Sequence, residues 1–219
     1  MRYALLVSLL LISLPISASS YHGDEYVILT GFEPFGNYEI NPSQMVVEEL
    51  NGSTVGNAKI ISFILPVDFN KSAEIIKKAI EDYNPAVVIC TGLDGSARKI
   101  EVEKIALNIR WASLDNKFGG WKKIENDAPF FLLSTLPVEE IVEAIDENGI
   151  EARISYFAGT YSCNYVFYST LLYMEEDGKD IPVGFIHLPP LKSQKRYGME
   201  LEDMKEAIKI AIERTLASA

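Results

Sequence analysis

Histidine and cysteine are the scarce residues of this chain. There are two of each among 219 residues: His22, His187, Cys90 and Cys163. No two of them stand at the spacing that grips zinc, so the sequence points to no metal site and no cofactor. One disulfide is arithmetically open, but each cysteine has a better explanation of its own. Runs of Lys and Arg are missing as well. The 20 basic residues are outnumbered by 31 acidic ones, which gives a formal charge of −11. Nucleic acid demands a basic footprint, so no nucleic-acid partner is expected. An anionic membrane surface suits this balance no better, and the charge mainly serves solubility. Past residue 20 no run is long and apolar enough to span a bilayer. Repeats and low-complexity linkers are absent too.

The first twenty residues read as an address. Arg2 supplies a short positive region, and Ala4 to Ile16 is apolar apart from Ser8, Ser13 and Pro15. Ser17-Ala18-Ser19-Ser20 then offers small residues for cleavage. This pattern predicts a signal peptide over residues 1–20, with one domain over residues 21–219. Such a leader implies a secreted or surface-exposed protein. With it removed, His22 falls at the new amino terminus, and His187 is the histidine left inside the fold.

Beyond the leader the chain alternates between two periods. Apolar, β-branched strands are expected at 26–31, 58–67, 86–91, 100–109, 153–157 and 181–188. Helices are expected from Ser43, which can cap the first, and at 70–83, 136–148, 162–174 and 200–216. Several strands are apolar on both faces. Strands of that kind, alternating with helices, predict one α/β domain with a largely parallel sheet covered on both sides.

In such sheets ligands gather at the carboxyl ends of strands. Cys163 lies just past a strand and a glycine turn, at the start of a helix. The free N–H groups and partial positive charge of a helix start favour a thiolate and can hold an oxyanion. His187 ends the strand Val183-Gly184-Phe185-Ile186, before Pro189, and a nucleophilic cysteine needs a neighbouring base. Cys90 sits in the apolar run Val87-Val88-Ile89, as a buried structural cysteine does. A carboxylate should orient the imidazole. Asp94, Glu101 and Glu103 all lie in one strand-adjacent segment, and alternation puts Glu101 and Glu103 on one face. Spacing alone does not choose among them.

Five motifs in order give the chain a likeness. Thr30-Gly-Phe-Glu-Pro-Phe-Gly36 with Asn41-Pro42 comes first, then Leu65-Pro66-Val67. Gly92-Leu93 through Ile100-Glu-Val-Glu103-Lys-Ile-Ala-Leu-Asn108 is third. Ala158-Gly-Thr-Tyr-Ser-Cys163-Asn164-Tyr165 and Phe185-Ile-His187-Leu-Pro189 complete the set. Together they resemble the pyroglutamyl-peptidase I family over about Val27 to Leu216. The resemblance implies a three-layer α/β/α sandwich around a mostly parallel, twisted sheet with room for mixed pairing. It implies a Cys163–His187–Glu103 triad and places Glu103 rather than Glu101 in the glutamate position. It also implies cleavage of amino-terminal pyroglutamate from peptides through an acyl-enzyme. Phe32 and Phe35 would then wall the small flat ring, and Asn41 would offer an amide to its lactam. A dimer or tetramer and a cytoplasmic location are likewise implied by the resemblance. The segments Asp94–Arg98 and Arg110–Asn116 depart from the family's usual pattern. Two other readings stand beside the first: a related cysteine amidase of altered specificity, and an exported binding protein that keeps the fold without turnover.

Overall fold

A computed structural model describes residues 25–111 and 120–218. The expected leader, His22 and residues 112–116 of the second divergent segment lie outside the described residues. The elements run β1 (Glu25–Phe32), α1 (Pro42–Leu50), β2 (Thr54–Val55), β3 (Ala58–Leu65), α2 (Phe69–Tyr83), β4 (Val87–Leu93), β5 (Ile100–Glu103), β6 (Ile105–Leu107), β7 (Arg110–Trp111) and β8 (Trp121–Lys122). Then come β9 (Phe131–Leu133), α3 (Val138–Glu147), β10 (Ala152–Ser155), α4 (Ser162–Asp177), β11 (Val183–Leu188) and α5 (Leu201–Ser218).

Seven strands form the central sheet, in the order β10-β5-β11-β4-β1-β3-β2. Strands β11, β4, β1 and β3 are mutually parallel. Strands β5 and β10 are parallel to each other, but β5 runs antiparallel to β11. The sheet is therefore mostly parallel, with antiparallel pairings at β5–β11 and, at the far edge, β2–β3.

Both faces are covered, which is why β1, β4 and β11 read as near-continuous apolar runs. Alternate side chains serve opposite layers. Val27, Leu29, Val87, Ile89, Val102 and Ile186 pack with α1, α3 and α5. Ile28, Phe32, Val88, Cys90, Val183 and Phe185 pack with α2 and α4. Each such Val, Leu or Ile stabilises the fold by about 1.5–3 kcal/mol on burial. The same alternation fixes the site: with Val102 and Ile186 on one face, Glu101, Glu103 and His187 are on the α4 face.

Two expectations change at element ends. Asn41, not Ser43, caps α1: its extended backbone lets Oδ1 accept from the Ser43 amide at 3.0 Å, and Pro42 fills the first helical position. The strand expected over 100–109 breaks at Lys104. There the Lys104 amide donates to the Ser155 carbonyl, and β6 turns away to pair with β9. Among the described residues no helix is long and apolar enough to cross a membrane.

Candidate active site

Helix α4 starts where the chain leaves β10 through Gly159, whose φ of +81° suits a residue without Cβ. Cys163 is in its first turn and is half-buried. By helical geometry the amides of that turn have no partner further back in the helix. Asn164, fully buried, fixes this turn against the neighbouring segment. Its Nδ2 donates to the carbonyls of Leu107 and Ile109, each at 2.8 Å, and its Oδ1 accepts from the Leu107 amide at 2.9 Å. The Trp111 amide also donates to the Thr160 carbonyl at 2.7 Å.

Opposite stands His187, near the carboxyl end of β11 and 5% exposed. Its Nδ1 donates to Glu103 Oε1 at 2.7 Å, and the Cys163 sulfur is near enough to its ring to favour the imidazolium. With Nδ1 held by a carboxylate, Nε2 is the nitrogen left for sulfur. Burial works against the imidazolium. The Cys163 sulfur and then the Glu103 carboxylate outweigh it and raise the His187 pKa well above the ordinary value. Glu103 is wholly buried, and its Oε2 has no hydrogen-bond partner.

The choice between the two glutamates is decided by lean. Sheet register places His187 directly across from Glu101, and Phe185 across from Glu103. The imidazole reaches diagonally to Glu103. Glu101 instead accepts from Arg153, through Nε at 3.0 Å and through Nη2. Asp94, the third carboxylate of that segment, closes its own turn. Its Oδ1 accepts from the Ser96 amide and hydroxyl, and these bonds outweigh burial and hold its pKa low.

Cys90 lies fully buried on the same face, and burial pushes its thiol up to about 12. Gly92, two residues on and level with His187, matters more. A Cβ there would sit 2.8 Å from Cys163 Sγ and 3.0 Å from Phe185 Cζ. Only a bare backbone admits the sulfur at this place. Gly92→Ala is expected to lower kcat/KM by about a hundredfold with the far-ultraviolet spectrum unchanged, because displacing a reacting atom by about an ångström costs that much. Full activity in this variant would show that the sulfur has room to move.

The expected ligand residues divide. Phe35 is partly exposed and meets Tyr38 at 5.8 Å between ring centroids. Phe32 is 2% exposed and packs in the α2–α4 layer, inside the core. Asn41, expected to offer its amide to a ligand, offers it to the chain instead. Its Oδ1 accepts from Ser43 N and Oγ, and its Nδ2 donates to the Glu33 carbonyl. A buried amide so engaged shapes the loop that carries Phe35. The divergent loop at Asp94–Arg98 is anchored to the same region. Tyr197 Oη donates to the Gly95 carbonyl at 2.8 Å, and the Arg98 guanidinium stacks on the Tyr197 ring. Gly92 and Asn164 are site residues that sequence reasoning misses. A glycine two residues past Cys90 on a buried strand is the available signal for the first.

A thiol, an imidazole and a carboxylate in line, beside helix-start amides at the end of an α/β sheet, suit acyl transfer from an amide. That is the work of cysteine-type hydrolases. Comparison with known proteins narrows the class. A family model described as pyroglutamyl peptidase matches residues 25–218. The chain is 38% identical over 208 residues to the pyrrolidone-carboxylate peptidase of Pyrococcus furiosus, covering 87% of this chain and 99% of that one. The enzyme of the same name from Bacillus cereus strain G9842 is 37% identical over 197 residues, covering 86% and 92%. Among solved structures, pyroglutamyl peptidase I of Bacillus amyloliquefaciens superposes with a TM-score of 0.82 at 34% identity, covering 89% of this chain and 98% of that one. The pyrrolidone carboxyl peptidase of Thermococcus litoralis gives 0.82 at 36%, covering 88% and 94%. The chain belongs to the pyroglutamyl peptidase family, and with it to the cysteine omega-peptidases.

Proposed function

We propose that this chain removes amino-terminal pyroglutamate from peptides, with Cys163 as nucleophile, His187 as base and acid, and Glu103 as its orienting partner. The observation that carries the reading is the buried His187, held through Nδ1 by Glu103 and lying within electrostatic reach of the Cys163 sulfur. The Cys163 sulfur attacks the pyroglutamyl carbonyl carbon while its proton passes to His187 Nε2. The carbonyl oxygen becomes an oxyanion against the first-turn amides of α4. Collapse breaks the amide bond, and Nε2 returns the proton to the leaving amine. A thioester remains. Water then attacks it, Nε2 takes the water's proton, and pyroglutamate departs as the thiol is restored. Glu103 keeps the proton on Nδ1 throughout, so that Nε2 faces the chemistry in the right state.

The substrate ring is small, flat and neutral, with no ammonium group. Phe35, partly exposed beside Tyr38, supplies an apolar wall of the right kind. A site that binds the lactam through its own polar groups rejects a free amino terminus, since those groups would be left unpaired. The wild-type enzyme is therefore expected to release a fluorophore from a pyroglutamyl amide and not from alanyl or prolyl amides, with release abolished by thiol alkylation. No thiol-dependent release from the pyroglutamyl amide would sink this reading. Release from a different acyl amide would favour the amidase of altered specificity, in keeping with the divergent loop at Asp94–Arg98.

A further inference from the structure

The imidazole faces two carboxylates, and the mechanism uses one. Atoms of Glu101, Glu103 and His187 lie within 4.8 Å of one another, and all three residues are buried. Two like charges at that separation repel, and burial sharpens the conflict. A cation beside Glu101 is what would favour its charged form. Arg153 is the cation in contact with it, bonded through Nε and Nη2 from the neighbouring strand β10, where it stands directly across from Glu101. The other groups around Glu101 are Glu103 on its own strand, His187 on β11, Asp94 after β4, and Cys163 beyond the imidazole. The nearby Lys99 is engaged by Glu151 at 3.3 Å.

A proton on Glu101 has a ready destination. Glu103 Oε2 is buried with no partner, and its other oxygen holds His187. Protonated Glu101 would be a donor within 4.8 Å of a Glu103 oxygen. The two carboxylates would then share one proton, and the negative charge facing Nδ1 would be diluted.

We propose that Arg153 is a positioning residue: by pairing with Glu101 it keeps protons off the carboxylate pair as pH falls, so that Glu103 continues to hold His187. Burial raises the Glu101 pKa, Arg153 pulls it back down, and Asp94 and Glu103 push it up again, so loss of Arg153 moves it further upward. This role rests on the peptidase reading.

The test is the pH profile of kcat/KM on a pyroglutamyl amide. In Arg153→Met the acid limb is expected to move up by about one pH unit, the low end for loss of an adjacent cation, because the Arg153 side chain is 62% exposed and its charge is screened. Activity on that limb then falls about tenfold below wild type. Arg153→Lys should restore most of the shift. The double variant Arg153→Met with Glu101→Gln should return the limb to its wild-type place, since position 101 no longer titrates. A merely structural arginine would give no such rescue. An unmoved limb in Arg153→Met, or a shifted limb in the double variant, overturns the proposal. A second readout needs no turnover: the 13C-labelled carboxyl of Glu101 should titrate higher in Arg153→Met than in wild type. An unchanged titration refutes the proposal even if the enzyme proves inactive on pyroglutamyl substrates. Inactivity with the titration raised sinks only the peptidase reading.

Discussion

Replacement of Cys163 by alanine is expected to lower kcat on a pyroglutamyl amide by about six orders of magnitude, the scale seen when a nucleophile is removed from a catalytic triad. Nothing else in the site can take its place. Cys90 is on the same face of the sheet, but it is wholly buried and its thiol is pushed up to about 12. It has no thiolate to offer near neutral pH and no path to a substrate. Alkylation of the wild-type enzyme should therefore inactivate it in step with one added group on Cys163, with Cys90 unmodified by peptide mapping. The same alanine variant carries a second signature. Burial opposes the His187 imidazolium, and the Cys163 sulfur is the foremost influence that overcomes it. Without the sulfur, the His187 titration followed by NMR should fall. Thiol-dependent turnover surviving in Cys163→Ala would overturn the assignment of the nucleophile.

Glu103→Gln ranks second, with kcat expected to fall by about 10²–10⁴-fold and KM little changed. Glutamine fills the same space, so the loss is electronic. Its amide can donate to Nδ1, which strands the proton on Nε2, the nitrogen that must accept one. Glu101→Gln is the control and should cost far less, because Glu101 is bonded to Arg153 and not to the imidazole. Equal losses in the two variants would mean that both carboxylates orient the ring. Stability obeys the same logic. The raised His187 pKa stabilises the folded chain fully below the unfolded histidine value of about 6.5, and this contribution is lost as pH rises through the folded value. Glu103→Gln lowers the folded value. Its destabilisation through His187 is therefore largest below about pH 6.5 and fades above the wild-type folded value. Urea melts at pH 5.5 and pH 9 would measure the difference.

Much of this is legible in the residues. Apolar runs such as Val87 to Thr91 announce strands buried on both faces, and the periodicity of residues 70–83 announces α2 almost to its ends. Cys163 and His187 can be paired because histidine is so scarce. The glutamate cannot be chosen by period alone, since Glu101 and Glu103 share a face. Even a known register would point to Glu101, because the deciding factor is the lean of a side chain. Asn41 is ambiguous for a related reason. An asparagine before proline reads equally as a ligand amide and as a helix cap, and only the placement of Ser43 separates the two. Gly92 stays hidden because its importance lies in what approaches it from α4, some seventy residues further along the chain.

The reversed edge of the sheet has one more consequence. Sulfur, imidazole and the bare backbone at Gly92 are set by the parallel block of β4 and β11 and the helix laid over it. Both glutamates and Arg153 belong to the opposed pair β5 and β10. On the proposed reading, reactivity and working acidity are thus built into separate pieces of one sheet, which meet along a single seam between β11 and β5. Substitutions on the outer piece can retune the acidity at which the enzyme operates while leaving the attacking atom where it is. A designer seeking an acid-tolerant version would work at positions 101 and 153, and leave the other side of the seam alone.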